Sequence, residues 1–321
     1  MIKKCNYVGI DISKLSFDVA LKNEKEKYSH YKFSNDLKGF KALLKLIKSS
    51  QSICVMEASG PYYLNLATYL NKQEIGVCVI NPLIIRRFCQ MRMMRAKTDK
   101  KDAQMIAEYG KTETPSQWNP EADYVLELKQ MQAFVEQLNK NRTGFIRQKE
   151  AFSFNSAPSS LVIKGLCKMI KSIEKEIQLI EEKMEILIKI EHQNLFNQLQ
   201  SIPGIGRKTA LALIVLSGGF TKFENAKQLC SYVGLSPRIF ESGTSVKGRS
   251  KICKMGMSRI RAMLYVCSWT AKKYNKACIE LYDRLVEKGK PKKVALIAVV
   301  NKLLKQAFAL ATKNEFYLEI N

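Results

Sequence analysis

Hydrophobic and polar residues alternate along three short segments near the start of the chain, residues 7–12, 17–21 and 28–33. Alternation with a period of two, together with β-branched and aromatic residues, predicts strands. Only a few residues separate the three segments, and the first separation contains Ser13 and Lys14 at a turn. We therefore expect an antiparallel meander of three strands.

After the meander the pattern alternates between helical and strand character. Asp36 precedes apolar residues of helical spacing over residues 40–47, so we expect it to cap that helix. The pattern further predicts buried strands over 53–56 and 75–80 and helices over 62–70, 82–93 and 99–109. Together these elements predict an α/β domain with mixed strand directions, to which we assign residues 1–115.

A helical connector is predicted over residues 116–195, after the loop that contains Pro115 and Pro120. The segment 124–150 is a long basic helix by composition. A second helix carries apolar residues at alternating spacings of four and three, which is a heptad seam. The seam residues are Leu166, Ile170, Ile173, Ile177, Ile180, Met184 and Leu187. We favour a coiled-coil arm used in assembly, and the alternative is a helical hairpin within one chain.

The last predicted domain, residues 196–321, is mainly α-helical and opens on Ile202-Pro-Gly-Ile-Gly. This segment resembles the helix-hairpin-helix element that binds the DNA backbone without sequence preference. Gly204 and Gly206 allow close approach, free amides at a helix N-terminus bind phosphate, and Arg207 and Lys208 add charge. The alternative is a tight turn between two packed helices.

A polar loop over residues 239–251 is the second feature of this domain, between a helix ending at Gly234 and later helices over 258 onwards and 294–312. Ser242 precedes a glycine and lies near three cations, as a nucleophilic hydroxyl for phosphoryl transfer requires. The three cations are Lys247, Arg249 and Lys251, and the hydroxyls that meet this description less well are Thr244, Ser245 and Ser250. Composition alone favours a phosphate-binding or solvated loop over catalysis.

The net charge indicates the kind of partner. Lys and Arg number 53 against 29 Asp and Glu, a formal charge of +24, which a polyanion would balance. The cations are spread over the chain and are not concentrated on one amphipathic helix, which favours nucleic acid over a membrane surface. No apolar run approaches the roughly 20 residues of a membrane helix, so we expect a cytoplasmic protein with no membrane partner.

The supply of cysteine and histidine limits the chemistry. The nine cysteines form no Cys-x-x-Cys pair, which fits reduced thiols better than a disulfide framework or a zinc site. His30 and His192 are the two histidines, too few for histidine-based zinc or acid-base chemistry. Catalysis must therefore depend on carboxylates and hydroxyls.

Four acidic residues occupy positions that suit a metal site. Asp11 and Glu57 end two predicted strands, and Asp99 and Asp102 open a helix at positions i and i+3. Carboxylate clusters hold Mg²⁺ or Mn²⁺, whose charge stabilises phosphate oxygens during phosphodiester transfer. Each residue alone suits a turn or a helix start, but the set in this order favours the metal site. Asp18 is a weaker candidate that we expect to face solvent.

Six segments, in this order, resemble the DEDD-type insertion-sequence transposases, which are related to the Piv and MooV DNA invertases. The segments are Val8-Gly-Ile-Asp-Ile-Ser-Lys, Glu57-Ala-Ser-Gly-Pro-Tyr, Lys97-Thr-Asp-Lys-Lys-Asp-Ala, Ile202-Pro-Gly-Ile-Gly, Gly234-Leu-Ser-Pro-Arg and Ser242-Gly. The acidic set also resembles that of RuvC-type resolvases, which implies an RNase H-like fold for the first domain. The resemblance spans essentially the whole chain.

The resemblance implies that Asp11, Glu57, Asp99 and Asp102 bind the metal and that Ser242 forms a phosphoserine link to DNA. It also implies a noncoding bridge RNA that pairs with donor and target DNA, and dimers or tetramers in which one subunit's serine completes another's acidic site. Family members commonly continue with a second glycine after Ser242-Gly, whereas Thr244-Ser-Val follows here, so the nucleophile stays open among neighbouring hydroxyls. The alternatives are a metal-dependent junction resolvase without a serine nucleophile and a non-catalytic architectural protein.

Overall fold

The protein is described from a computed structural model that covers residues 6–23, 27–47, 52–94, 98–238, 241–242, 246–247, 251–253 and 255–318. Its contacts divide the chain into two compact units, Met1–Glu121 and Ala122–Asn321. Both helices of the predicted connector belong to the second unit.

The first unit is built on a five-stranded mixed sheet. Its strands are β1 (Asn6–Ile12), β2 (Ser16–Lys22), β3 (Tyr28–Ser34), β4 (Ser52–Glu57) and β5 (Gly76–Ile80), in the order β3-β2-β1-β4-β5. The pairs β1–β2 and β2–β3 are antiparallel, whereas β1–β4 and β4–β5 are parallel. The predicted meander and mixed directions are confirmed, and the sheet is compatible with an RNase H-like DEDD domain.

The helices of this unit are α1 (Leu37–Ile47), α2 (Leu64–Lys72), α3 (Pro82–Met91) and α4 (Asp99–Glu113). The Gly39 amide donates to Asp36 Oδ1 at 2.9 Å, which confirms the predicted cap and lowers the pKa of that carboxyl. Helix α4 lies directly on β1 because Gly9 has no side chain. A Cβ at Gly9 would overlap the carbonyl oxygen of Ala103, so this glycine sets the distance between α4 and the sheet.

Seven helices are described in the second unit. They are α5 (Asp123–Ser153), α6 (Ser160–Ser201), α7 (Arg207–Ser217), α8 (Ala226–Val233), α9 (Ser258–Tyr274), α10 (Lys276–Glu287) and α11 (Lys292–Lys313). Helix α7 is buried from Thr209 to Ser217 and forms the centre of the core. The sequence pattern predicted these helices except α10, whose beginning at Lys276 follows α9 directly.

The heptad seam of α6 is buried against α5. Ile177, Ile180 and Met184 share one cluster with Leu128 and Val135 of α5. The seam is therefore covered within one chain, which is the hairpin alternative raised by the sequence. A role of this arm in assembly stays a prediction.

Helix α6 contains an interruption that the heptad pattern did not indicate. His192 has φ −141° and ψ 35°, outside helical values, and divides the element into two helical parts. Its Nε2 lies 2.9 Å from the Tyr124 hydroxyl of α5, and burial lowers the pKa of the imidazole. The long helix thus changes direction where a side chain from α5 meets it.

Helix α11 differs from the expectation that no segment reaches membrane-spanning length. Lys292–Lys313 is long and apolar enough to qualify by composition. It is a core helix, however, because Val299, Leu303 and Leu304 are fully buried within the unit. The cysteines in the described part of the chain are free thiols, as expected.

The predicted polar loop contains two short antiparallel ladders. Strand β6 (Pro237–Arg238) pairs with β9 (Lys251–Ile252), and β7 (Glu241–Ser242) pairs with β8 (Val246–Lys247). The described residues of this loop thus include short paired strands, whereas the composition indicated irregular structure.

Candidate active site

Three elements position the four predicted acidic residues. Asp11 is the penultimate residue of β1 and Glu57 the last residue of β4. These strands are parallel neighbours, so both carboxylates lie at the same edge of the sheet. Asp99 and Asp102 lie in the first turn of α4, where Thr98 Oγ1 accepts a hydrogen bond from the Lys101 amide at 3.3 Å and fixes the helix start.

The electrostatics of Asp11 indicate that the acidic residues converge. The pKa of Asp11 is raised to about 6, first by burial and then by the charges of Asp102, Asp99, Glu57 and Asp18. Like charges at close range disfavour ionisation, so these four carboxylates lie close enough to Asp11 to raise its pKa. A divalent cation placed there would relieve this repulsion.

The donor set fits a hard cation, since carboxylate oxygens are the ligands that Mg²⁺ and Mn²⁺ prefer. Within the residues that the structure describes, no three Asp, Glu, His or Cys side chains already stand in metal-binding geometry. Asp99 remains largely exposed, with 69% of its side chain accessible. The arrangement is thus an acidic cluster that is electrostatically coupled and still open on the α4 side.

Asp18 corrects an expectation from the sequence. It is 6% exposed and does not face solvent. It lies directly opposite Asp11 on β1 and Lys32 on β3, so the three side chains form one row across the sheet. The prediction was wrong because the strand pattern did not reveal that this face is covered.

His30 and Lys32 are site residues that the sequence analysis missed. His30 Nε2 lies 2.7 Å from Asp18 Oδ1, and Lys32 Nζ lies 3.3 Å from Asp18 Oδ2. Lys32 Nζ also lies 3.9 Å from Asp99 Oδ2, so one ammonium bridges the meander and the start of α4. Alternation along β3 places both residues on the face of Asp18, and this register is the signal that could have identified them.

Ser242 lies at the end of its hairpin ladder. It is the last residue of β7 and pairs with Val246, while Glu241 pairs with Lys247. Only residues 243–245 join the two strands, so the Ser242 backbone borders the hairpin tip. Four predicted residues, Thr244, Ser245, Arg249 and Ser250, lie outside the described residues.

The predicted phosphate-binding turn, residues 204–208, contacts α9 and α6 of the second unit. Gly204 has φ +107°, and a Cβ there would lie 2.9 Å from Ala271 Cβ of α9. Arg207 Nε lies 2.7 Å from Glu185 Oε2, and Lys208 Nζ lies 2.8 Å from a carboxylate oxygen of α6. Gly206 is the N-cap of α7, with open space beside it. The two cations pair with glutamates, so phosphate binding here would require exchange of those partners.

Comparison with known proteins gives two family matches. Residues 8–152 match a DEDD-type transposase model of the IS110 group, and residues 197–283 match the transposase family IS116/IS110/IS902. The four acidic residues fall in the first match and Ser242 in the second.

Individual relatives agree with these matches. The pilin gene-inverting proteins of Moraxella lacunata and Moraxella bovis are each 31% identical over 319 residues, which cover 96% of this chain and 96% of theirs. The transposase for insertion sequence element IS1111A of Coxiella burnetii is 31% identical over 147 residues, 43% of this chain and 38% of that protein. The similarity to the Moraxella proteins thus spans both units.

Proposed function

Because the chain belongs to the IS110 family of DEDD-type transposases and DNA invertases, and is therefore a DNA recombinase, we propose that it cleaves and rejoins DNA at the acidic cluster of β1, β4 and α4. The observation that carries this proposal is the placement of Asp11 and Glu57 at the same end of two parallel neighbouring strands, with the first turn of α4, packed on β1, supplying two further carboxylates. The raised pKa of Asp11 agrees with this placement.

Asp11, Glu57, Asp99 and Asp102 would hold Mg²⁺ or Mn²⁺, and the metal would supply charge that stabilises phosphate oxygens. Asp18, on the strand next to Asp11, contacts His30 and Lys32, and Lys32 in turn lies within ion-pair distance of Asp99. This chain of contacts orients the start of α4 relative to β1. The row beside Asp11 therefore positions the cluster and does not bind substrate.

The finer proposal concerns Ser242. Its Oγ attacks the scissile phosphate, the bond to the DNA leaving oxygen breaks, and that oxygen takes up a proton, which leaves a phosphoserine ester. A free DNA hydroxyl then attacks the ester, releases the serine and joins the new strand. Support comes from its place at a hairpin tip, with Lys247 at the next paired position of β8, and from the family resemblance.

A second candidate function dispenses with the serine. The matched first-domain model is of the DEDD type, a set of acidic residues that includes no serine nucleophile. Water or a DNA hydroxyl would then attack the phosphate directly, and protein would never be joined to DNA.

We further propose that donor and target DNA are chosen by a noncoding bridge RNA and that the recombinase acts as a dimer or tetramer. The charge of +24 supports a polyanionic partner, and the bridge RNA follows from the family resemblance. The proposed site of action is the cytoplasm.

The experiment compares recombination of a supercoiled plasmid that carries the element's ends by the wild type, Asp11→Asn and Glu113→Gln. Glu113 is an exposed carboxylate at the far end of α4 and serves as the matched control. Asp11→Asn should reduce strand cleavage by at least about 100-fold, while Glu113→Gln retains it. Equal activity of the two variants would contradict the proposed site.

The serine step has its own test. The substrate is DNA with a nick beside the cleavage site, so that the cleaved strand is released and cannot rejoin. With it, wild-type protein should yield a protein–DNA adduct on denaturing gels, and Ser242→Ala should yield none. An adduct retained by Ser242→Ala would transfer the role to another hydroxyl. Cleaved DNA with free ends and no adduct in the wild type would favour the second candidate.

A further inference from the structure

Helices α9 and α10 expose an aromatic surface that the proposed chemistry does not use. Trp269 is 48% exposed, and it is neighboured on the open face of α9 by Val266, at 68%. Tyr274 at the end of α9 is 64% exposed. Large aromatic side chains left open to solvent on a helix are typical of contact surfaces. We call Tyr265, Trp269, Lys272 and Tyr282 the Trp269 platform.

The platform is held in place by its own contacts. The rings of Tyr265 and Trp269 are 6.5 Å apart and nearly perpendicular, at 85°. Lys272 Nζ lies 4.5 Å from the centre of the Trp269 ring and 4.9 Å from that of Tyr282 on α10. The indole is therefore fixed by an aromatic neighbour and a cation while nearly half of it stays open.

The opposite face of α9 prevents the platform from turning inward. Leu264, Ser268 and Ala271 are fully buried, and a Cβ on Gly204 would already crowd Ala271. Rotation of α9 by one position would expose these residues and disrupt the core. The exposure of Trp269 is thus imposed by the fold.

The surrounding charge identifies the class of partner. Residues 258–293, which comprise α9, α10, the turn after them and the first two residues of α11, contain ten Lys and Arg but only three Asp and Glu. An apolar protein partner would gain nothing from this excess, whereas a nucleic-acid strand offers phosphates to the cations and bases to the rings. Aromatic stacking combined with a basic surface is the usual means of binding single strands.

We propose that the Trp269 platform binds single-stranded DNA, with an unpaired base stacked on Trp269 and adjacent phosphates contacted by Lys273 and Lys276. Both lysines are exposed, on α9 and at the start of α10. Strand exchange leaves DNA segments transiently unpaired, and the platform would hold one of them. The inference rests on the proposed function only for the choice of DNA as the nucleic acid.

The chain provides its own reporter for this test, because Trp118 and Trp269 are its two tryptophans. In full-length Trp118→Phe, all indole emission comes from Trp269. We would titrate this variant, without divalent metal, with a 20-nucleotide oligothymidine, an abasic strand of equal length and a duplex. The oligothymidine should quench the emission strongly, and the abasic strand and the duplex should quench it weakly, since neither offers an unpaired base.

Affinity measured by anisotropy of a labelled oligothymidine gives the second readout. Trp269→Ala should weaken binding about tenfold, Trp269→Phe should restore most of the loss, and Val266→Ala should have little effect. Glu113→Gln should bind as the wild type does. Because the titrations contain no divalent metal, platform binding is measured without the acidic site's activity, and failure of the two is distinguishable. Circular dichroism melting confirms that each variant folds.

Four results would overturn the proposal. They are equal quenching by the abasic strand, unchanged affinity of Trp269→Ala, binding of oligouridine more than tenfold tighter than oligothymidine, and a change in Trp269 emission with protein concentration alone. The third would assign the platform to RNA and the fourth to a second copy of the chain.

Discussion

Asp11 is the residue at which the acidic cluster has a measurable energetic consequence. Its carboxyl is partly buried among other carboxyls, so the folded chain holds its proton more tightly than the unfolded chain does. A raised pKa in the folded state means that ionisation of Asp11 opposes folding. The protonated carboxyl therefore stabilises the folded chain below pH 4, and this stabilisation is lost as the pH rises through about 6.

Asp11→Asn should therefore stabilise the metal-free protein at neutral pH. After allowance for solvent screening we expect about 1 kcal/mol, a few degrees in Tm, at pH 7.5 in EDTA, and almost no gain at pH 4. Thermal melts by circular dichroism between pH 4 and 8 measure this, with Glu113→Gln as control. A Tm of Asp11→Asn below that of the wild type at pH 7.5 would show that the carboxylates do not repel one another.

At the scale of single residues, the positions of the four acidic residues could be predicted from the sequence. The contacts of Asp18 with His30 and Lys32 beside them could not. Strand ends and a helix start can be located from hydrophobic period, which placed Asp11, Glu57 and Asp99 correctly in the elements. The burial of Asp18 depends on cross-strand partners, His30 and Lys32, that are far enough along the chain for register to decide. The hydrophobic pattern alone does not give the register between β2 and β3, so Asp18 was predicted to face solvent.

At the scale of elements, α4 carries two of the four carboxylates, and Gly9 allows it to pack closely on β1. We predict that Gly9→Ala costs about 1–3 kcal/mol of stability or more, because the new methyl group meets backbone atoms that cannot move aside cheaply. The displacement of α4 should also lower recombination activity. Urea unfolding and the plasmid assay together measure both effects.

Gly144→Ala is the matched control for that substitution. Gly144 lies within α5, and a Cβ there would have no atom within 4 Å. Alanine should stabilise the helix by up to about 1 kcal/mol and leave activity unchanged. If Gly9→Ala were as well tolerated as Gly144→Ala, the close approach of α4 to the sheet would not be a requirement of the site.

Element prediction succeeded where periodicity was strong. The seam of α6 was evident from its spacing, but spacing cannot say whether the covering helix belongs to the same chain. The structure places α5 there. The interruption at His192 has no signature in the local sequence, since helix-forming residues surround it, and it coincides with the contact between His192 and Tyr124. Such contacts between distant segments are what a one-dimensional pattern omits.

At the scale of the whole molecule, two units carry the two halves of the proposed chemistry. Met1–Glu121 contains the acidic cluster and Ala122–Asn321 contains Ser242 and the Trp269 platform. The similarity to the Moraxella lacunata protein spans both units. Residue chemistry and resemblance indicated the two candidate functional regions, whereas the exposure of Trp269 followed only from the packing of α9.

The measurement that tests the central claim most directly is Mn²⁺ binding followed by electron paramagnetic resonance of the free ion. The wild type and Glu113→Gln should bind Mn²⁺ saturably with equal affinity. Asp11→Asn and Glu57→Gln should each weaken binding at least tenfold, because each removes a charged oxygen ligand from one shared site. Mn²⁺ binding that is unaffected by Asp11→Asn and Glu57→Gln, or the absence of saturable binding to the wild type, would contradict a metal-dependent recombinase site at the edge of this sheet.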